Sequence, residues 1–290
     1  MILANIIVTM IVYLNNQFLP LEKAKISPLD RGFLFADGVY EAVRTYNGKL
    51  FKIDEHISRL KRSLKELKIY YGQTEEIENI ICQLIEKNNL SKIETLAYIQ
   101  ITRGASEQRT HHFSKNKIKP TVFISVTPFT SNKLEQDEGI KVILCADNRW
   151  ERCDIKSISL LPNVLANQLA RESDAQEAIL VKNGFITEGT HTSFFAIKKE
   201  ELYTSPKSNL ILGSITRGIV LELCTKLKIP TREESVQKNE LKIFDEFFIA
   251  GTTTDITPVI KIDDNIIGDG KPGKVTKRLL SAFRELTNSK

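Results

Sequence analysis

Apolar and polar positions alternate along Ile11-Val-Tyr-Leu and again along Gln17-Phe-Leu-Pro, and Asn15-Asn16 between them predicts a tight hairpin. Val39 to Tyr46 meets Lys49-Leu-Phe across Asn47-Gly48, a second hairpin signal. The period then changes. After Asp54, Ile57, Leu60, Leu64 and Leu67 recur at helical spacing, and Thr74 followed by Glu75-Glu76 opens another helix ending near Asn88-Asn89. Strands are predicted again at Thr95 to Arg103 and Thr121 to Thr127. The polar stretch from Pro128 to Gly139, with Ser131-Asn132 and the acidic run Glu135 to Glu138, reads as an interdomain linker. Beyond it come strands at Ile140 to Ala146 and Glu177 to Val181, an Asn183-Gly184 turn into a further strand, and a strand at Phe247 to Ala250. Helices are predicted over Asn163 to Asp174, near Ser214 to Leu227, and near Val275 to Asn288. The pattern is that of a two-domain α+β protein: a smaller domain over 10–130, a linker over 131–139 and a larger domain over 140–290. Residues 1–9 are set apart as an extension or an early start, because Met10 stands just before the first strand.

Composition narrows the class. With 290 residues, 41% of them hydrophobic and 27% charged, the chain can bury a core and is neither disordered nor collagen-like. Its formal charge of +5 is scattered, and the densest basic stretch, Lys52 to Lys68, is interrupted by Asp54, Glu55 and Glu66. That is a solvated helix face rather than a nucleic-acid footprint, so small molecules are the expected partners, with no nucleic acid and no membrane. Cys82, Cys145, Cys153 and Cys224 lie far apart without C-x-x-C spacing, which suggests neither a metal site nor a disulfide framework and fits a cytoplasmic protein. The apolar start, Met1 to Val12, has no basic flank or small-residue cleavage site, and a signal peptide is not expected.

Gly268-Asp-Gly-Lys-Pro-Gly273 satisfies G-x-G-x-x-G literally, but only 17 residues follow Gly273, too few for a dinucleotide fold with its acidic residue about 20 positions on; a P-loop would need Ser or Thr in place of Val275. A surface turn is the better reading. Lys156 sits between Trp150 and Leu160-Leu161, apolar surroundings in which a lysine amine can become a nucleophile toward carbonyls. Glu188, at the end of Phe185-Ile-Thr, would by itself be a turn or surface carboxylate. Beside a Schiff-base lysine it gains a use, keeping a pyridine nitrogen protonated so that the ring withdraws electrons. Gly213-Ser-Ile-Thr-Arg opens a helix and Gly251-Thr-Thr-Thr follows a strand, both places that receive phosphate, although Ser214 also suits plain N-capping.

Taken in order, Asp30-Arg-Gly-Phe-Leu-Phe-Ala-Asp-Gly-Val-Tyr-Glu41, Arg149-Trp-Glu-Arg-Cys-Asp-Ile-Lys-Ser157, Thr187-Glu-Gly189, Leu212-Gly-Ser-Ile-Thr216 and Thr252-Thr-Thr-Asp-Ile-Thr-Pro258 resemble the fold-type IV pyridoxal-phosphate aminotransferases, from about Met10 to the C-terminus. The resemblance implies pyridoxal 5'-phosphate in the cleft between the domains, with Lys156 as Schiff-base lysine and proton shuttle and Glu188 at the pyridine nitrogen. It implies Arg59, Ile215, Thr216 and Thr252 at the phosphate, Leu212 on a ring face and Arg149 near the phenolic oxygen. A homodimer is also implied.

Arg109-Thr-His111-His-Phe113 resembles the D-amino-acid branch of that family, in which Tyr40, Arg109 and His111 would grip the substrate α-carboxylate. Guanidinium, imidazole and phenol donors suit a carboxylate. His112 could exchange roles with His111. The resemblance thus implies ping-pong transamination between D-alanine or D-glutamate and 2-oxoglutarate or pyruvate. The alternatives are an aminodeoxychorismate lyase, a branched-chain L-amino-acid aminotransferase and an (R)-amine aminotransferase on the same fold. Thr190-His-Thr-Ser193 departs from the serine-rich run the family often shows after Glu-Gly, so different hydrogen bonding is expected there.

Overall fold

The computed structural model describes residues 10–288; the expected extension over 1–9 lies outside them. The chain divides into two compact units, one running to Thr130 and including Ile155–Ser159, the other formed by Ser131–Asp154 and the residues from Leu160 onward.

The first unit contains β1 (Ile11–Leu14), β2 (Gln17–Pro20), α1 (Arg31–Phe35), β3 (Gly38–Tyr46), β4 (Lys49–Leu50), α2 (Ile53–Glu66), α3 (Ile77–Lys87), β5 (Thr95–Thr102) and β6 (Thr121–Pro128). The strands form an antiparallel sheet in the order β2-β1-β6-β5-β3-β4. Both expected hairpins form. Asn15 and Asn16 have φ of 48° and 68°, and Asn47 and Gly48 of 50° and 77°, the left-handed pairs that match strand twist in two-residue turns. One sheet face, with Val39, Val43, Ile99 and Ile124, is sealed by Ile57, Leu60 and Leu64 of α2 and by Ile77, Ile80, Ile81 and Leu84 of α3, which fall on one face of each helix. Removing one such side chain, as in Leu84→Ala, costs about 2–5 kcal/mol.

Ile155–Ser159 lies along the edge of β3. Tyr40 donates its N–H to the Lys156 carbonyl at 3.0 Å, Ile158 to Gly38 at 3.1 Å, and Ser157 bridges Val39. The lysine was expected on the larger C-terminal domain. Its backbone is instead part of the first unit, because these ladder bonds extend the β3 edge.

The second unit contains α4 (Lys133–Glu138), β7 (Ile140–Ala146), α5 (Leu161–Glu172), β8 (Glu177–Lys182), β9 (Phe185–Gly189), β10 (Ser193–Lys198), β11 (Glu201–Thr204), α6 (Ile215–Lys226), β12 (Thr231–Glu233), β13 (Glu246–Gly251), β14 (Asp255–Ile262), β15 (Asn265–Ile266) and α7 (Lys274–Asn288). Its mixed sheet runs β12-β11-β10-β13-β14-β7-β8-β9, with β15 paired to β14. Phe194, Phe247, Ile249, Val259 and Ile179 form one core, and α6 packs on β13 and α7.

The expected linker at 131–139 is not a loose connection. Asn132 caps α4 by accepting from Glu135, Gln136 is buried and donates to Asp255 at 3.0 Å, and Arg284 of α7 reaches Asp137 at 2.8 Å. Its polar residues serve a short helix packed on β14. The Gly268 to Gly273 segment is a turn before α7, whose first N–H groups, Val275 and Thr276, donate to Glu246 at 2.9 and 2.8 Å. A side-chain carboxylate occupies the place a phosphate would take in a P-loop. No helix among the described residues is long and apolar enough to cross a membrane.

Candidate active site

In the first unit, the Lys156 Nζ stands 4.2 Å from the Tyr40 ring centroid, and the Lys156 N–H donates to Ser63 of α2 at 3.2 Å. The structure therefore brings these two expected residues together. Tyr40 packs beside Tyr98 of β5, with centroids 5.9 Å apart, and burial next to Tyr40 pushes the Tyr98 phenol up to about 12.

Arg59 of α2 is fixed by the last residue of the first motif, Glu41, to which the motif alone gives no role. Glu41 is 1% exposed and accepts from Arg59 Nε at Oε1 and Nη2 at Oε2, at 2.7 and 2.8 Å, while His56 Nδ1 also lies 2.7 Å from Oε2. Burial would raise the Glu41 carboxyl, but Arg59 and His56 outweigh it and hold it down at about 2; burial lowers His56. The signal was present: Glu41 shares the inward phase of β3 with Val39 and Val43, where a carboxylate needs a partner from the covering helix.

Arg109 and His111 lie on the β5–β6 connection. The His111 ring is 5.5 Å from that of Phe35, and the Arg109 guanidinium is 4.8 Å from the same ring. His112 instead lines a cavity of about 1110 Å³ with Lys25, Tyr71, Lys115 and Lys119, which none of the expected catalytic or cofactor residues lines.

In the second unit, Glu188 is the penultimate residue of β9 and is buried. Its Oε1 accepts from Arg149 Nη1 at 2.5 Å, and the Leu212 N–H lies 3.2 and 3.1 Å from Oε1 and Oε2. Among the described residues, Oε2 has no other donor. Burial raises the Glu188 carboxyl despite Arg149, and Oε2, which receives only the shared Leu212 N–H, has acceptor capacity for one more cationic or N–H partner.

Arg149, expected at a phenolic oxygen, spans Asp147 and Glu188. It donates to Asp147 through Nε at 2.9 Å and Nη2 at 2.7 Å, and to the Leu210 carbonyl at 3.1 Å. Burial alone would lower the guanidinium, but the two carboxylates raise it above its ordinary value. Asp147 was not foreseen either; it closes β7 just before the motif.

The Thr190-His-Thr segment converges on a second buried carboxylate, Glu177, which accepts from the Thr190 and Thr192 hydroxyls at 2.5 and 3.0 Å and faces His191 Nδ1 at 3.0 Å. Glycine is required at 189, since a Cβ there would lie 2.1 Å from the Thr192 hydroxyl. These threonines thus brace the turn that follows Glu188.

Ser214 caps α6, its hydroxyl accepting from the Arg217 N–H at 3.2 Å, so the N–H groups of Ile215 and Thr216 fall in the first turn, where no helical acceptor exists. Thr252 stands in the tight turn between β13 and β14, and in the same turn the Thr254 hydroxyl is buried without a hydrogen-bond partner among the described residues. Helix N–H groups and an orphaned hydroxyl suit a phosphate. With the half-open Glu188 carboxylate, the second unit's donor set fits a phosphorylated pyridine.

Residues 38–262 match the family model described as amino-transferase class IV. The chain is 38% identical over 280 residues to a D-alanine aminotransferase of Staphylococcus haemolyticus, covering 96% of this chain and 98% of that protein. It is 39% identical over 274 residues to a D-alanine aminotransferase of Bacillus licheniformis, covering 94% and 95%. Among solved structures, the branched-chain amino acid aminotransferase of Escherichia coli superposes with a TM-score of 0.89 at 27% identity, covering 96% of this chain and 95% of that one. The chain belongs to the class IV aminotransferases.

Proposed function

We propose that this protein is a pyridoxal-phosphate-dependent D-amino-acid aminotransferase that exchanges amino groups between D-alanine or D-glutamate and 2-oxoglutarate or pyruvate. The observation that carries the cofactor reading is Glu188, a buried carboxylate braced by Arg149 and Leu212, whose Oε2 receives only the shared Leu212 N–H among the described residues and can accept a ring N–H as well. Near full-length similarity to D-alanine aminotransferases favours D-amino acids over branched-chain L-amino acids.

When bound, pyridoxal phosphate supplies a carbonyl that takes up amino groups and a protonated ring that withdraws electrons. Lys156 would hold that group through its amine and then move the proton at the substrate Cα. Glu188 would keep the ring nitrogen protonated. Ile215, Thr216, Thr252 and Arg59 would receive the phosphate, Arg59 from the seat Glu41 gives it, and Leu212 would cover a ring face. Tyr40, Arg109 and His111 would receive the substrate α-carboxylate. The bonds Arg149 makes give it a positioning role at Glu188.

We further place the enzyme in the cytoplasm as a homodimer. Four cysteines without disulfides support a reducing compartment, and Leu161, Val164, Leu165 and Leu169 leave a row of apolar side chains exposed on α5, suited to a second copy.

An assay of the purified holoenzyme with D-alanine and 2-oxoglutarate tests the reaction. Pyruvate and glutamate in equal amounts, with the glutamate in the D form, are expected. Turnover of L-leucine but not D-alanine, or pyruvate released from a cyclic enol ether without any amino acceptor, would contradict it.

A further inference from the structure

The connection from Thr102 to Thr121, which carries Arg109 and His111, has no helix and one isolated bridge, Asp30 with Ala105. A stretch so poor in backbone pairing must be ordered by side chains if the groups on it are to stand in fixed places. The side chain beneath it is Arg31, the first residue of α1, which is 3% exposed.

Each nitrogen of the Arg31 guanidinium has its own task. Nε donates to Asp37 at 2.8 Å, Nη1 to the Thr110 carbonyl at 2.6 Å and Nη2 to the His111 carbonyl at 3.2 Å. Asp37 is itself held by Arg103 Nε and Nη2 at 2.7 and 2.8 Å, and Arg103 is anchored to the Lys68 and Leu67 carbonyls at 2.8 and 2.6 Å. Phe113 lies over Arg103 with 3.7 Å to its centroid. At the other end of α1, Phe35 stands 4.8 Å from both the Arg31 and the Arg109 guanidinium. Helix α1 is pinned in turn. Asp30 is buried, caps the helix by accepting from Gly32 at 2.7 Å, and receives the Thr102 and Thr121 hydroxyls from both ends of the connection.

We propose that Arg31 is a positioning residue for substrate recognition, which from its seat on Asp37 holds the backbone of residues 110–111 and so fixes where Arg109 and His111 meet the substrate carboxylate. The inference rests on the reading that Arg109 and His111 receive that carboxylate. A planar fork is needed, because one lysine ammonium cannot serve a carboxylate and two separate carbonyls in these directions. Arg31 and Arg103 share the carboxylate of Asp37, which ties both guanidinium groups to one point at the base of the connection. Phe35 is the second contact through which α1 acts, on the Arg109 and His111 side chains rather than on their backbone.

The test uses holoenzyme carrying Arg31→Lys, Phe35→Leu, Arg109→Ala and the double change Arg31→Lys/Arg109→Ala. Arg31→Lys is expected to raise KM for D-alanine about tenfold while kcat stays within about twofold and the cofactor absorbance and circular dichroism match the unaltered enzyme. In the Arg109→Ala background the same change should add nothing further, because Arg31 acts through Arg109. Phe35→Leu, which leaves the ion cluster intact, should raise KM in the same direction and keeps the test open if Arg31→Lys does not fold. An unaltered KM in Arg31→Lys or Phe35→Leu, with KM raised by Arg109→Ala, would overturn the positioning role alone. An unaltered KM in Arg109→Ala would overturn the carboxylate reading, and the positioning role with it.

Discussion

Lys156 is half-buried on the β3 edge, with its backbone bonded to Tyr40 and Ser63 and its Nζ above the Tyr40 ring. Lys156→Ala removes the amine and leaves that ladder intact, so the variant should fold normally and lose both turnover and the covalent cofactor absorbance. Retained turnover would contradict the assignment. Glu188→Gln keeps the shape but not the charge. A neutral amide holds a protonated ring nitrogen poorly, so cofactor should stay bound while the half-reaction with D-alanine slows by about a hundredfold; an unchanged rate would sink the role of Glu188. At this scale the sequence was informative where a residue type has a rare chemical use, as for Lys156 and Glu188. It was silent on which oxygen faces which nitrogen. Arg149 was legible as a motif residue, and Asp147 stands only two positions before it, but its bond to Glu188, 39 positions on, needed the fold of β7, β8 and β9, which no local spacing encodes.

Helix α2 and strand β3 were both legible, from the apolar period of the one and the Asn47-Gly48 turn after the other, whereas the ion cluster between them was not. Glu41 and His56 are 15 residues apart in the chain and meet only when α2 lies on the sheet. Both groups are lowered in the folded state, so the unfolded chain binds more protons at their sites, and stability is lost as pH falls. For Glu41 the contribution is complete above its ordinary value of 4.5 and is lost as pH falls from there toward about 2. Thermal melts from pH 7 to pH 3 should show that loss. Glu41→Gln should flatten it and, by leaving Arg59 and His56 without their carboxylate, destabilise the protein by about 3–5 kcal/mol at pH 7. An unaltered acid limb in the variant would exclude Glu41 as its source. The short elements escaped the sequence for a related reason: α1 and α4 are too brief for a period to show, and each is held by a capping residue, Asp30 or Asn132, together with tertiary contacts.

For the whole molecule, the α+β class and the family were legible because ordered motifs span nearly the full length of the chain, and the family match covers residues 38–262. The grouping of Lys156 with the first unit was hidden, since it depends on five residues of a long irregular stretch extending a strand more than 100 positions earlier. Assembly is a property of this scale too. If a second copy covers Leu161, Leu165 and Leu169, the unaltered protein should sediment as a dimer and Leu165→Glu as a monomer without loss of secondary structure; a monomer before the change, or a dimer after it, would contradict that placement. D-selective amino transfer is tested most directly by the rapid-mixing absorbance of the holoenzyme with D-alanine and, separately, with L-leucine. D-alanine should convert the yellow cofactor to its pyridoxamine form in a single turnover while L-leucine leaves it unchanged; conversion by L-leucine alone, or by neither, would contradict the account.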